Sequence, residues 1–264
     1  MVILHVGDVV GRPGRRAVSV VLPELVEEHA PDLIIINGEN AAGGTGITAS
    51  TAEELLNAGA ACITTGNHVW AQRQAIKLLE RDHDILRPAN YPPGAPGVGS
   101  GLFESRHASG VRVGVINLCG RVFMSELDDP FRSADAEIQS LSAHTNVIVL
   151  DFHAEATSEK QAMGRYLDGR VSAVIGTHTH VQTADEQVLP GGTAYITDVG
   201  MTGASEGIIG VETETVLRRF TTLMPQRFEP PDGGPSFLCA VVVDIDGNTG
   251  RARGISRIRR DLPG

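Results

Sequence analysis

Aromatic side chains are scarce: one tryptophan, three tyrosines and seven phenylalanines make up only 4% of 264 residues. The core must therefore be packed from Val, Ile, Leu and Ala. Cysteine is equally sparse. Cys62, Cys119 and Cys239 each lie in or beside an apolar run and far from one another, which excludes a CxxC redox or zinc motif and leaves buried free thiols as the expectation. Positive charge is short as well, with 22 Lys and Arg against 32 Asp and Glu and a net charge of −10. A sequence-independent nucleic-acid binder needs a basic surface to displace counterions, so that class is excluded for the chain as a whole. A phosphate-bearing substrate would need its positive charge supplied locally, by metal ions. No apolar run approaches the roughly 20 residues that span a bilayer. The opening MVILHVGDVVGRPGRR places its charges after the apolar stretch, the wrong order for a signal peptide. A cytoplasmic protein without membrane attachment is expected. No strand is followed by GxGxxG and no P-loop is present, so neither common nucleotide-cofactor motif applies.

Glycine and proline, by contrast, are plentiful, 31 and 14 residues, and most stand between apolar runs, as tight loops require. Val2–Val6, Leu33–Ile36, Ala61–Thr65, Val111–Leu118, Val147–Leu150 and Val171–Ile175 read as buried strands. Arg15–Ala30 repeats apolar residues at three- and four-residue steps and reads as a helix. Thr48 or Ser50 is placed to cap a second helix running through Ala58, with Glu53 three residues after Ser50. Gln72–Glu80, Phe131–His144 and Ser158–Leu167 read as further helices, and the Pro- and Gly-rich stretch Arg87–Gly101 as a loop. Gln187–Leu189 and Thr193–Thr197 flank a turn, and Phe237–Ile245 with Ala252–Ile258 forms a closing hairpin. Alternating strands and helices predict a layered α/β fold with late antiparallel strands. No second core or linker is evident, so one domain over 1–264 is expected.

The chemistry gathers at strand ends. Asp8, Glu39 with Asn40, Asn67 with His68, His153, and His178 with His180 each follow a predicted strand. Ligand sites of α/β sheets lie beyond the carboxyl ends of the strands, so residues far apart in sequence can meet there. Imidazole, carboxylate and carboxamide together suit Mn, Fe or Zn better than an all-oxygen calcium site. On extended backbone, residues two apart point the same way, so both rings of His178-x-His180 can face one site. Taken singly, each pattern is equally a surface imidazole or a turn residue.

Taken in order, the segments GD at Asp8, NGEN at Glu39, GNH at Asn67, the isolated His153 and GTHTH at His178 and His180 resemble the calcineurin-like metallophosphoesterases. The match is closer to the YmdB-like bacterial phosphodiesterase subfamily, whose GDVVG and NGENAAGG stand here as Gly7–Gly11 and Asn37–Gly44. The resemblance covers nearly the whole chain. It implies a β-sandwich flanked by helices, layered α/β/β/α, and two divalent transition-metal ions, Fe or Mn with Zn as the remaining candidate. By similarity Glu39 bridges both ions, Asp8 and His180 complete one, and Asn67, His153 and His178 the other. The superfamily carries a histidine two residues after its first aspartate; Val10 stands here, and Asn40 is the replacement candidate. A carboxamide in place of an imidazole favours Mn²⁺ or Fe²⁺ over Zn²⁺. His68 matches the histidine that contacts phosphate or protonates the leaving oxygen. The acid that usually follows it is Val69 here, which leaves its partner open. The implied activity is hydrolysis of phosphodiesters, 2′,3′-cyclic nucleotides favoured, by a dinuclear-metal-activated hydroxide.

Other features carry two readings. Ala41–Gly46 either cradles phosphate or is a turn that lets Glu39 and Asn40 reach the metals. Arg12, Arg15 and Arg16 favour a solvated helix start over substrate contact. Arg251, Arg253, Arg257, Arg259 and Arg260 favour an edge strand guarded by charge over RNA binding, and an RNA or RNA-processing partner is unsupported by the net charge. Arg121–Pro130, with Phe123 and Met124, reads as a lid or an oligomer contact, and a homo-oligomer is expected. His5, His29, His83, His107 and His144 read as structural or surface residues. The alternative function is a metal-binding regulatory protein with weak hydrolysis, favoured by the two departures at Val10 and Val69.

Overall fold

The computed structural model describes residues 1–108 and 110–264. In chain order the first half holds β1 (Val2–Val6), β2 (Asp8–Val9), α1 (Gly11–His29), β3 (Leu33–Asn37), α2 (Ala49–Ala58) and β4 (Cys62–Thr64). There follow α3 (Ala75–Arg81), β5 (Ile85–Leu86), β6 (Ser100–Glu104), β7 (Arg112–Cys119), α4 (Pro130–Leu141) and β8 (Ile148–His153). The remainder holds α5 (Thr157–Tyr166), β9 (Ala173–Thr177), β10 (Gln187–Val188), β11 (Ala194–Ile196) and β12 (Met201–Ala204). It closes with α6 (Thr213–Thr222), β13 (Ser236–Ile245) and β14 (Ala252–Leu262).

Two sheets result. The first runs β2-β12-β13-β1-β3-β4-β5, with β14 paired to β13; the second runs β10-β11-β9-β8-β7-β6. β1, β3, β4 and β5 are mutually parallel, as are β7, β8, β9 and β11. Their carboxyl ends carry the chemistry-bearing loops. Successive strand residues point to opposite faces, and the sequence uses both. Ile3, Leu33, Ile35, Val149 and Ile175 fill the layer between the sheets. Leu4, Val6, Ile34 and Ile36 pack on the outer face with Val18, Leu22 and Leu55 of α1 and α2. Ile148, Leu150 and Phe152 meet Ile138 of α4 and Met163 of α5 on the far side. The architecture is therefore helix, sheet, sheet, helix. Full burial of each such Leu or Ile contributes about 1.5–3 kcal/mol.

Local chemistry sets the helix starts. Thr48 caps α2 in a reciprocal capping box with Thr51, so neither Ser50 nor Glu53 is needed. Asp129 accepts hydrogen bonds from the Phe131 and Arg132 amides and Pro130 opens α4. Pro130 thus belongs to a helix, and the preceding stretch leaves Phe123 89% exposed. The three cysteines are buried and unpaired, and burial pushes the Cys239 thiol up to about 12. Among the described residues no helix is long and apolar enough to cross a membrane.

Candidate metal centre

The expected side chains reach the site from five separate strands or strand ends. Asp8 forms the two-residue β2, which pairs in parallel with Met201 and Thr202 of β12. Glu39 and Asn40 follow β3, and Asn67 and His68 follow β4. At Gly66 a Cβ would stand 2.2 Å from His153 Cδ2 and 2.3 Å from Glu39 Oε2, so only glycine lets the chain pass this close to the cluster. His153 is the last residue of β8 rather than a loop residue after it. Asp151 and His153 interrupt the apolar run, yet strand alternation turns both into the inter-sheet layer, where they are fully buried. His178 and His180 lie just past β9 with φ of 97° and 66°, a region L-residues seldom occupy outside functional or tightly held segments. Asp198 holds them there. Its Oδ2 accepts from Thr179 N at 2.9 Å, from Thr179 Oγ1 at 2.6 Å and from Lys160 Nζ at 2.7 Å.

The hydrogen-bond network aims lone pairs inward. Thr177 Oγ1 donates to Asp151 Oδ1 at 2.7 Å, so its oxygen accepts from His153 Nδ1 at 3.0 Å. That leaves His153 Nε2 facing Asn67 Oδ1 at 3.0 Å, His178 Nδ1 at 3.0 Å and Glu39 Oε1 at 3.2 Å. His178 Nε2 donates to Glu155 at 3.0 Å, so its Nδ1 also presents a lone pair. Four electron-rich atoms therefore share one space, which needs a cation or an extra proton between them. Glu39, His153 and His178 offer donor atoms all within 4.8 Å of one another. Beside them His180 Nδ1 donates to Ile209 O at 2.9 Å and its Nε2 lies 3.9 Å from Asp8 Oδ1. Asp8 Oδ1 and Asn40 Oδ1 are buried and find no hydrogen-bond partner. Buried polar atoms are normally satisfied, and two orphaned oxygens beside an imidazole suit a second hard cation.

Charges respond to this crowding. Burial pushes Asp8 up to about 6, against the pull of His180 and His153. Burial also opposes ionisation of Glu39, but the His153 charge and hydrogen bonds from His153 and His68 overcome it and hold Glu39 well below the carboxylate range. For His153 burial acts downward, yet Glu39 and Asp8 raise it to about 9. Burial, with the neighbouring His153 charge, drives His178 down to about 3. Without a metal, Glu39 and Asp8 favour a proton on His153; a bound cation would replace it.

His68 finds the acid that Val69 does not provide. Its Nδ1 lies 3.1 Å from Glu39 Oε1, and its amide donates to Glu39 Oε2 at 3.2 Å. Ala41–Gly46 folds as a turn, with Asn40 Nδ2 donating to Gly44 O at 2.9 Å. Arg15 Nη1 donates to Ala41 O at 2.6 Å and so braces that turn. Several β14 arginines meet nearby acids: Arg257 with Glu186 at 2.7 Å and Arg260 with Glu28 at 2.8 Å. Sequence reasoning missed Asp151, Glu155, Lys160, Thr177 and Asp198. Asp151 and Glu155 each stand two residues from His153, a spacing that could have flagged them; the others carry no local signal. His5, set aside as structural, lies buried 3.3 Å from Asp151 Oδ2, under the cluster.

A two-sheet α/β sandwich with mixed N and O donors at its seam is the arrangement of the calcineurin-like phosphoesterases, whose fold implies divalent metal ions. One of them, YfkN from Bacillus subtilis, superposes with a TM-score of 0.58 at 13% identity, covering 100% of this chain and 90% of that one. More specifically, the model of the YmdB-like proteins matches residues 4–258, and the chain belongs to that family. It is 50% identical over 258 residues to a 2′,3′-cyclic-nucleotide 2′-phosphodiesterase of Bacillus subtilis (strain 168), covering 98% of this chain and 96% of the relative. A novel phosphatase from Mycoplasma pneumoniae superposes with a TM-score of 0.92 at 33% identity, over 100% of this chain and 94% of that one.

Proposed function

We propose that this protein is a metal-dependent phosphodiesterase that opens 2′,3′-cyclic nucleotides. Glu39 with Asp8, Asn40 and His180 would hold one ion, and Glu39 with Asn67, His153 and His178 the other. The observation that carries the reading is the convergence of donor atoms of Glu39, His153 and His178, drawn from both sheets, within 4.8 Å of one another, with the unpartnered Asp8 Oδ1 beside them. The bacillary relative, a 2′,3′-cyclic-nucleotide 2′-phosphodiesterase, supports the substrate class. Oxygen donors at Asp8 and Asn40 favour Mn²⁺ or Fe²⁺ over Zn²⁺. Two such ions, when bound, supply positive charge to phosphate oxygens and make water acidic enough to ionise near neutral pH.

The chain's own part is orientation and proton handling. Thr177, Glu155 and the Ile209 carbonyl fix the tautomers of His153, His178 and His180. His68 Nδ1 leans on Glu39, which leaves Nε2 for the substrate cavity that His68 lines. As the water oxygen bonds to phosphorus and releases one proton to solvent, the P–O2′ bond breaks and His68 Nε2–H gives its proton to the departing 2′ oxygen. The product is the nucleoside 3′-phosphate. The test is turnover of 2′,3′-cyclic AMP by chelated protein before and after adding back single metals. We expect none before, and restoration by Mn²⁺ or Fe²⁺. Restoration by Mg²⁺ alone would overturn the donor argument, and no turnover with any metal would leave the regulatory reading.

A further inference from the structure

The cavity over the metal centre holds about 340 Å³ and has two unlike sides. Its floor is polar: Glu39, Asn40, His68, His178 and His180. Its wall is apolar and comes from segments not among the expected site residues, Ile209 in the turn before α6 and Phe228 in the irregular strap after it. Both side chains are about half exposed, 52% and 48%, although large apolar groups gain by burial.

The wall is fixed to the floor. Ile209 has φ 46°, an unfavourable value for a β-branched residue, and its carbonyl in that conformation is the acceptor for His180 Nδ1 at 2.9 Å. The strap is pinned immediately after Phe228. Glu229 O accepts from Glu212 N at 2.9 Å. The Pro230 ring sits so close to the Asp8 and Asn40 loops that a Cβ on Gly11 or Gly44 would come within 2.8 or 2.9 Å of it. A half-bare aromatic residue thus lines the same cavity as His68, His178 and His180.

We infer that Phe228, with Ile209 beside it, is the platform on which the nucleobase of the substrate stacks, so that the enzyme selects nucleotides over base-free cyclic phosphates. The inference rests on the phosphodiesterase reading above. A phosphate on the floor directs the base of the same nucleotide toward the wall, and a flat ring on an aromatic face gains affinity whichever base it is. The platform therefore predicts preference for nucleotides without preference among bases.

The test compares wild type, Phe228→Ala and Phe228→Trp on 2′,3′-cyclic AMP and on glycerol 1,2-cyclic phosphate, which has the same five-membered diester and no base. Phe228→Ala should lower the nucleotide-over-glycerol ratio of kcat/KM by roughly 5- to 150-fold, mostly through KM for the nucleotide, and Phe228→Trp should restore it. Equal losses on both diesters, or none, overturn the platform. Calorimetric binding of 3′-AMP to metal-loaded protein separates the two readings. If wild type hydrolyses neither diester but Phe228→Ala still weakens 3′-AMP, the phosphodiesterase reading fails and the base subsite stands. If Phe228→Ala leaves 3′-AMP affinity unaltered, the subsite is overturned whatever the turnover.

Discussion

His68 has a side chain 39% exposed, whereas its partner Glu39 is 1% exposed. A half-exposed imidazole on a buried carboxylate can turn its free nitrogen to a ligand without losing its anchor. Its neighbour Asn67 reaches the same cluster, with Oδ1 3.0 Å from His153 Nε2, so one turn delivers a donor and a proton carrier. His68→Ala should lower kcat by about 10²–10⁴-fold with both metals retained in elemental analysis. If His68 protonates the leaving oxygen, p-nitrophenyl esters, whose leaving group needs little protonation, should be largely spared and cyclic nucleotides should not. Equal losses on both would make His68 a donor to the phosphoryl oxygens instead. Loss of a metal would make it a ligand.

At the scale of elements, β8 and β9 do more than end near the cluster. Val149, Asp151 and His153 share one face of β8, and Thr177 closes β9 beside them, so the strand pair carries its own orienting relay. The Thr177 hydroxyl is its middle link. Partners that orient a metal-ligating histidine typically weigh 10–100-fold in affinity. Thr177→Val keeps the shape and removes the link, so metal affinity measured by competitive chelation should fall by about that factor. Unchanged affinity would show that His153 is oriented by packing alone. The Asp151–Thr177–His153 relay was not legible in the sequence, because Thr177 stands far from the other two along the chain and only the pairing of His153 with Thr177 across β8 and β9 joins them. The parallel strands were legible as β-branched runs, and so were the donors at their ends. By contrast β12, Met-Thr-Gly-Ala, has no apolar run to announce it. Helix α6 buries only Val216, so its apolar spacing is not set by a core. Strand β6 begins at Ser100, inside the Gly- and Pro-rich stretch expected to be loop, because Ser100 and Gly101 pair with Ile116 and Val115.

At the scale of the whole molecule, the donor set is divided between the sheets. Asp8, Glu39, Asn40 and Asn67 come from the first, and His153, His178 and His180 from the second. The layer between them is also joined by buried polar links, Asn37 Nδ2 to Asp151 Oδ2 at 3.1 Å among them. We propose that residues 1–264 unfold as one unit and that metal binding acts as a clasp across the seam. Ions that bind the folded chain but not the unfolded one stabilise it by about 2.7 kcal/mol per site at a hundredfold excess over Kd. With an unfolding entropy near 2.1 cal/mol/K per residue, two such sites should raise Tm by roughly 10 °C in a chain of 264 residues. Scanning calorimetry should therefore show one transition with metal and one, at lower temperature, after chelation. Two separated transitions, only one of them metal-sensitive, would mean that the sheets fold apart and that the clasp joins preformed halves. A single transition that chelation fails to move would mean that the donors are held in place by the fold alone, with no metal in the purified protein to remove.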